Sequence, residues 1–168
     1  MTKIERIILI NCRSEILKWI LEGDDVLSEN LGVKVPQNWS EFGKNIFEYS
    51  LNTVSQNPES QIWWTYLPII IKSNTVAGTC GFKGEPKDGI VEIGYEVAKS
   101  FRNKGYASEM VNILIEIAFK SNLVNSTIAH TLALNNPSVS VLKKCEFKFV
   151  KEFYDKEDGM IWQWRRDK

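Results

Sequence analysis

Between Trp63 and Val97 the apolar pattern changes from a helical repeat to the two-residue repeat of strands, and at Ala107 it changes back. The run from Trp63 to Ile71 is aromatic and β-branched, which predicts a strand. Within it Pro68 removes one ladder donor and implies a bulge or an edge. Lys72-Ser73-Asn74 reads as a turn, Thr75 to Phe82 as the returning strand, Glu85-Pro86-Lys87-Asp88-Gly89 as a second turn, and Ile90 to Val97 as a third strand. The middle of the chain is therefore an antiparallel meander, and its apolar faces need helices to cover them.

The flanks supply those helices. Ile4 to Ile10 reads as a first strand. Ser14 then opens a helix carrying Ile16, Leu17, Ile20 and Leu21 that Gly23 stops, and a short helix through Leu27 and Leu31 ends at Gly32. After Pro36, the residues Trp39, Phe42, Ile46, Phe47, Ser50 and Val54 fall on one helical face. The polar stretch from Ser55 to Ser60 reads as a loop. Trp63 and Trp64 point to opposite faces of the strand that follows, so one can pack while the other lines a cleft. Downstream, Ala107, Met110, Val111, Leu114, Ile117 and Ala118 make a helical stripe, and Thr127 to Leu134 alternates as a strand. Asn136 caps a helix begun by Pro137 that carries Val141, Leu142 and Cys145. Two last strands, Phe147 to Tyr154 and Met160 to Arg165, meet at Asp158-Gly159. This order predicts an α+β fold around one mixed, mostly antiparallel sheet. At 168 residues the chain is read as one domain, 1–168, with a core large enough to need no staples.

Lys plus Arg total 21 and so do Asp plus Glu, which argues against non-specific nucleic-acid binding because no excess of basic charge is available to displace counterions. The 3 cysteines, Cys12, Cys80 and Cys145, are odd in number and lack C-x-x-C spacing, and are expected to be buried thiols in a reducing compartment. A single histidine, His130, leaves no Cys/His cluster for zinc. The N-terminal apolar run is too short for a signal peptide and no other run could span a membrane, so a cytoplasmic location without membrane partners is expected.

One segment carries chemistry. After the third meander strand and before the next helix stands Val97-Ala98-Lys99-Ser100-Phe101-Arg102-Asn103-Lys104-Gly105-Tyr106-Ala107-Ser108. A glycine there lets the backbone approach a ligand, and the helix start presents unpaired N–H groups to an anion. Neither a Walker loop nor the G-x-G-x-x-G fingerprint is present. R-N-K-G-Y-A resembles the acetyl-CoA signature [QR]-x-x-G-x-[GA] of the GNAT superfamily of N-acetyltransferases. The longer string V-E-I-G-Y-E-V-A-K-S-F-R-N-K-G-Y-A-S-E resembles the branch containing the ribosomal-protein N-terminal acetyltransferases. So do Asn135-Asn136-Pro137-Ser138 and the run from Val141 to Phe147.

The resemblance implies a GNAT fold over the whole chain, with acetyl-CoA as cosubstrate, an amine acceptor, no metal, and a monomer or homodimer. It implies that Val97 bonds the pantetheine arm and that Arg102, Asn103, Lys104, Gly105, Tyr106, Ala107 and Ser108 wrap the pyrophosphate. Asn135 would reach the cofactor, and the strands holding Val97 and Asn135 would splay around the thioester. Glu92 resembles a strand glutamate that acts as base through water, although it also reads as a solvent-facing strand residue. Glu96 would share its face unless a bulge intervenes. Leu142 stands where several relatives have a tyrosine acid, which leaves Ser138 or water to protonate the thiolate. Glu146 replaces a glycine, so the preceding helix is expected to end differently, and Ser140 replaces an arginine. His130, in strict alternation with Ile128, Leu132 and Leu134, reads as packed in the core. The expected activity is acetyl transfer to a primary amine by direct attack. The alternative is an acyl-CoA-binding module on the same fold without turnover.

Overall fold

In the computed structural model, which describes residues 5–168, the strand-period segment forms the middle of one 8-stranded sheet. The strands are β1 (Ile7–Asn11), β2 (Thr65–Ile70), β3 (Thr75–Val76), β4 (Gly78–Phe82), β5 (Ile90–Val97), β6 (Ser126–Leu132), β7 (Lys148–Asp155) and β8 (Gly159–Asp167). The helices are α1 (Ser14–Glu22), α2 (Asp24–Leu31), α3 (Lys44–Gln56), α4 (Tyr106–Lys120) and α5 (Pro137–Lys144). Across the sheet the order is β1-β2-β4-β5-β6-β8-β7, with β3 beside β2. Among these strands β5 and β6 pair in parallel and the other pairs are antiparallel. The fold is the expected α+β arrangement around a mixed, mostly antiparallel sheet.

Two apolar cores lie on opposite faces. One holds Met110, Val111 and Leu114 of α4 and Leu142 of α5. The other holds Ile16, Leu17 and Ile20 of α1, Leu27 of α2, and Phe47 and Val54 of α3. β2 lies between them, with Tyr66 and Ile70 in the first core and Leu67 and Ile69 in the second. A strand buried on both faces reads as a continuous apolar run, and each large side chain so buried contributes about 1.5–3 kcal/mol. The single returning strand expected from Thr75 to Phe82 is split. Ile69 faces Val76 but Tyr66 faces Cys80, a one-residue slip. Pro68, which has no N–H to give, sits at that slip, where its carbonyl accepts from Ala77 N at 2.8 Å.

Four local readings change. Ser14 lies inside α1, with Arg13 as the N-cap. α3 starts later than its apolar pattern suggested: Asn38 is left-handed (φ 53) and Gly43 is the cap, so Trp39 and Phe42 precede the helix. Trp39 is buried nonetheless, its Nε1 donating to Asp24 at 2.9 Å, whereas Phe42 and Ile46 are exposed. The stretch expected as a loop ends α3 and begins a 3₁₀ turn, Pro58–Trp63. Trp63 therefore packs from a turn and not from a strand. Finally, Glu146 adopts the left-handed conformation (φ 64) and α5 ends as a glycine would end it. Phe147 N donates to Leu142 O at 3.0 Å and Glu146 N to Lys143 O at 3.1 Å. At the other end of α5, Asn136 Oδ1 accepts from Val139 N at 3.1 Å, as its sequence predicts. The start of the first strand at Ile4 lies outside the described residues.

Candidate active site

β5 leads through a 3₁₀ turn, Lys99–Phe101, into a loop that closes on the start of α4. Asn103 (φ 60) and Gly105 (φ 83) are both left-handed, and Gly105 is the N-cap of α4. Glu109 N donates to Gly105 O at 3.3 Å, so the N–H groups of Tyr106, Ala107 and Ser108 precede the first helical bond. Arg6 supports the loop from outside. It donates from Nη2 to Lys104 O at 2.9 Å and from Nε to Glu109 Oε1 at 2.6 Å, and lies 4.8 Å over the Tyr106 ring. A Cβ on Gly105 would come 3.1 Å from that Nη2.

The basic side chains of the loop are engaged with the protein. Arg102 donates from Nε to Val97 O at 3.0 Å and from Nη2 to Glu41 Oε2 at 2.8 Å, and Lys104 Nζ donates to Ser100 O at 3.0 Å. Hydrogen bonds from Lys99 and then Arg102 hold the Glu41 carboxyl below the usual carboxylate range. What the loop offers an anion is its main chain.

Beside it the sheet opens. β5 and β6 pair only from Ile90↔Ser126 to Glu92↔Ile128. Ala98 N donates to Ala77 O, and Lys83 N to Glu92 O, which fixes the alternation along β5. Tyr95 and Val97 therefore turn their peptide groups toward β6, past the end of that ladder. A cleft of about 780 Å³ passes through the gap. Ile93, Tyr95, Ala129 and Ser138 line it on the α4–α5 side, and Trp64, Lys83, Gly94 and His130 on the other, with Phe42, Ile46 and Tyr49 at its rim. A Cβ on Gly81 would run into the Trp64 carbonyl, so this glycine lets the chain carrying Trp64 lie against β4.

The His130 reading is corrected here. Beyond Ser126, which is buried at the start of β6, the buried residues are Thr127, Ala129 and Thr131, while Leu132 and Leu134 are exposed and His130 lines the cleft, so His130 faces the cleft and not the core. Its Nδ1 lies 2.9 Å from Glu92 Oε1, and Lys83 Nζ lies 2.5 Å from the same oxygen. Burial pushes the Glu92 carboxyl up, but the hydrogen bonds from His130 and Lys83 and the Lys83 charge outweigh it, leaving the group below its ordinary value. Glu92 thus stands behind two residues of the cleft wall. β5 has no bulge between Glu92 and Glu96. Glu96 shares that face, where it accepts from Ser40 Oγ and, at 3.0 Å, from Glu41 N.

Ser138 lines the cleft, and its carbonyl accepts from the Tyr95 hydroxyl at 3.3 Å. Burial pushes the Tyr95 phenol up, so it keeps its proton. Asn135 is exposed, past the end of β6 and outside the cleft lining. Leu142 is fully buried and presents nothing to the cleft. The sequence reading missed Tyr95, Lys83 and the orientation of His130. Glu92 and Tyr95 sit on opposite faces of β5, and only the opening of the sheet brings both to one cleft. Cys12, Cys80 and Cys145 are buried, as expected. Among the described residues no group of three or more His, Cys, Asp or Glu could hold a metal, and no helix is long and apolar enough to cross a membrane.

Residues 7–148 match the family model described as an acetyltransferase (GNAT) domain. An uncharacterised N-acetyltransferase, p20, of Bacillus licheniformis is 36% identical over 81 residues, which is 48% of this chain and 46% of that protein. The chain thus spans about half the length of the curated relatives it matches. A ribosomal-protein-S5-alanine acetyltransferase from Vibrio fischeri superposes with a TM-score of 0.70 at 13% identity, covering 98% of this chain and 94% of that one. A chimeric spermidine N-acetyltransferase from Vibrio cholerae superposes with a TM-score of 0.68 at 12% identity, covering 97% and 96%. Both show the fold.

Proposed function

Because the chain belongs to the GNAT acetyltransferase family, we propose that it transfers the acetyl group of acetyl-CoA to a primary amine, either the α-amine of a peptide or protein or that of a small molecule. The observation that carries this reading is the cleft through the sheet, next to a loop that presents main-chain N–H groups. Acetyl-CoA lies with its pyrophosphate on the backbone of residues 102–108, whose turn the left-handed Gly105 permits, and its pantetheine arm runs along Val97. Asn135 sits at the outer edge of the cofactor. The thioester reaches the gap, where the Val97 N–H polarises its carbonyl.

The acceptor enters past Phe42, Ile46, Tyr49 and Trp64. Its nitrogen attacks the carbonyl carbon directly in a ternary complex, and the C–S bond breaks with its electron pair on sulfur. Glu92 belongs to the group that removes the amine proton. Ser138 and Tyr95, on the opposite wall, stand where a proton can be returned to the thiolate.

The aromatic rim suits a short peptide, as does the protonation of its amine. With pKa values near ~8 for an α-amine and ~10.4 for lysine, the α-amine is on the order of 10² more neutral at about pH 7.5. Release of free CoA should therefore give a higher kcat/KM for a peptide with a free N-terminus than for the same peptide blocked there and carrying a lysine, or for spermidine. Equal or reversed values would overturn the α-amine preference. A second reading, acyl-CoA binding without turnover, is favoured by the buried Leu142 and by the two bonds that Glu92 Oε1 already accepts. It predicts thermal stabilisation by acetyl-CoA with no free thiol from any amine.

A further inference from the structure

We propose that His130 is the general base of this transfer and that Glu92 is its positioning residue, not the group that takes the proton. The inference rests on the acetyl-transfer reading above. His130 lies on β6 two residues beyond Ile128, the last residue paired to β5, so it stands where the gap begins and its ring lines the cleft. Nδ1 is held by Glu92 at 2.9 Å, and among the described residues no protein group bonds Nε2. The side chain keeps 21% of its surface exposed, which leaves Nε2 to meet what the cleft holds. The edge-to-face contact with Phe153, at 5.5 Å, restrains the ring from another side.

Chemistry separates the two roles. Glu92 Oε1 already receives both Lys83 Nζ and His130 Nδ1, so that oxygen is poorly placed to take another proton. A carboxylate behind Nδ1 fixes the tautomer with the proton on Nδ1 and the lone pair on Nε2, and it stabilises the imidazolium formed when Nε2 is protonated. The charged groups facing the ring are Glu92 from β5, Lys83 after β4, and Asp155, Glu157 and Asp158 at the β7–β8 turn. In the step itself, the acceptor nitrogen forms its bond to the acetyl carbon and loses one proton to Nε2. The C–S bond breaks, sulfur keeps the electron pair and takes up one proton, and Nε2 returns its proton to solvent. The products are an amide and CoA thiol.

The test compares His130→Ala, His130→Gln and Glu92→Gln with the parent protein, using a peptide with a free N-terminus and saturating acetyl-CoA. Thermal stability and acetyl-CoA affinity are measured for each. His130→Ala should lose about 10²–10⁴-fold in kcat, bind acetyl-CoA as before, and recover rate with added imidazole. His130→Gln keeps a polar group of similar size against Glu92, and covers the case in which the alanine variant does not fold; it should lose a similar factor. Glu92→Gln should lose less, about 10–100-fold, as expected of a residue that acts through another. Glu92→Gln more damaging than either His130 variant, His130 variants within about threefold of the parent, or no imidazole rescue in a folded alanine variant would each overturn the proposal. If the parent protein itself releases no CoA with any amine, the acetyl-transfer reading has failed and the base falls with it.

Discussion

The loop at 102–108 and the cleft around His130 adjoin each other but are made of different material. The loop is one contiguous stretch whose proposed anion site is its main chain: a left-handed glycine, a helix start, and basic side chains already tied to Val97, Glu41 and Ser100. The cleft is built from side chains of β2, β4, β5, β6, α3, α5 and the β7–β8 turn, residues distant in sequence that meet where β5 and β6 part after Glu92↔Ile128. Main-chain sites are sensitive to one residue's conformation and indifferent to most side chains. Side-chain sites are the reverse.

Substitution at Gly105 is the strongest test of that contrast. Gly105→Glu puts a left-handed conformation on a residue whose Cβ lies 3.1 Å from Arg6 Nη2, which displaces the loop and adds a negative charge beside its N–H groups, and calorimetry should show acetyl-CoA binding abolished in a folded protein. Undiminished affinity would make the loop only a helix cap. Arg102→Ala should weaken binding far less, about tenfold at most, because that guanidinium already serves Glu41 and Val97.

The same contrast explains what could be read from sequence. The bounds of β5 and the Asn136 cap were legible, because each follows from a few adjacent residues. The face of His130 was not. β6 buries the small residues Thr127, Ala129 and Thr131, because the space beside them is filled from elsewhere by Trp164 and Leu142. Trp164 Nε1 even donates to Thr131 Oγ1 at 3.0 Å. Ile128, Leu132 and Leu134 are left on the outer side, so apolar alternation pointed to the wrong face. The late start of α3 has a similar cause. Phe42 and Ile46 look like core residues by spacing, yet both are exposed and line the cleft instead.

Within the cleft, Tyr95→Phe should lower kcat by about tenfold while leaving acetyl-CoA affinity unchanged. Only the hydroxyl that reaches Ser138 is removed, and a thiolate needs limited help to leave. An unchanged kcat would assign protonation of sulfur to Ser138 or to water.

The two regions should also respond differently to pH. The Glu92 carboxyl is held below its ordinary value in the folded protein, so as pH falls the unfolded chain takes up its proton first. The stability that Glu92 adds relative to Glu92→Gln is therefore complete above the unfolded pKa of about 4.3 and is lost as pH falls through the folded value. Denaturant midpoints of the pair should differ most at about pH 7 and draw together as pH falls below about 4.3. Gly105→Ala has no titrating partner to lose. Its cost of about 1–2 kcal/mol comes from the left-handed backbone and should be the same across that range.

The smallest expected effect comes from Glu146, where a main-chain requirement and the side chain present disagree. α5 ends with the two bonds that a left-handed residue permits, Phe147 N to Leu142 O and Glu146 N to Lys143 O, although a glutamate occupies the position. The left-handed conformation costs a non-glycine residue about 1–2 kcal/mol, and part of the gain from glycine is offset by the greater freedom of the unfolded chain. Glu146 does pair with Arg166 at 3.1 Å, but its side chain is 77% exposed and such surface pairs contribute little. Arg166 also keeps a bond to Cys145 O at 2.8 Å that does not depend on Glu146. Glu146→Gly should therefore stabilise the protein by about 0.5–1 kcal/mol, raising Tm by about 1–4 °C in calorimetry, with kcat unaltered. A fall in Tm would mean that the Arg166 pair outweighs backbone strain, so that a helix end with the geometry of a main-chain feature is held by its side chain.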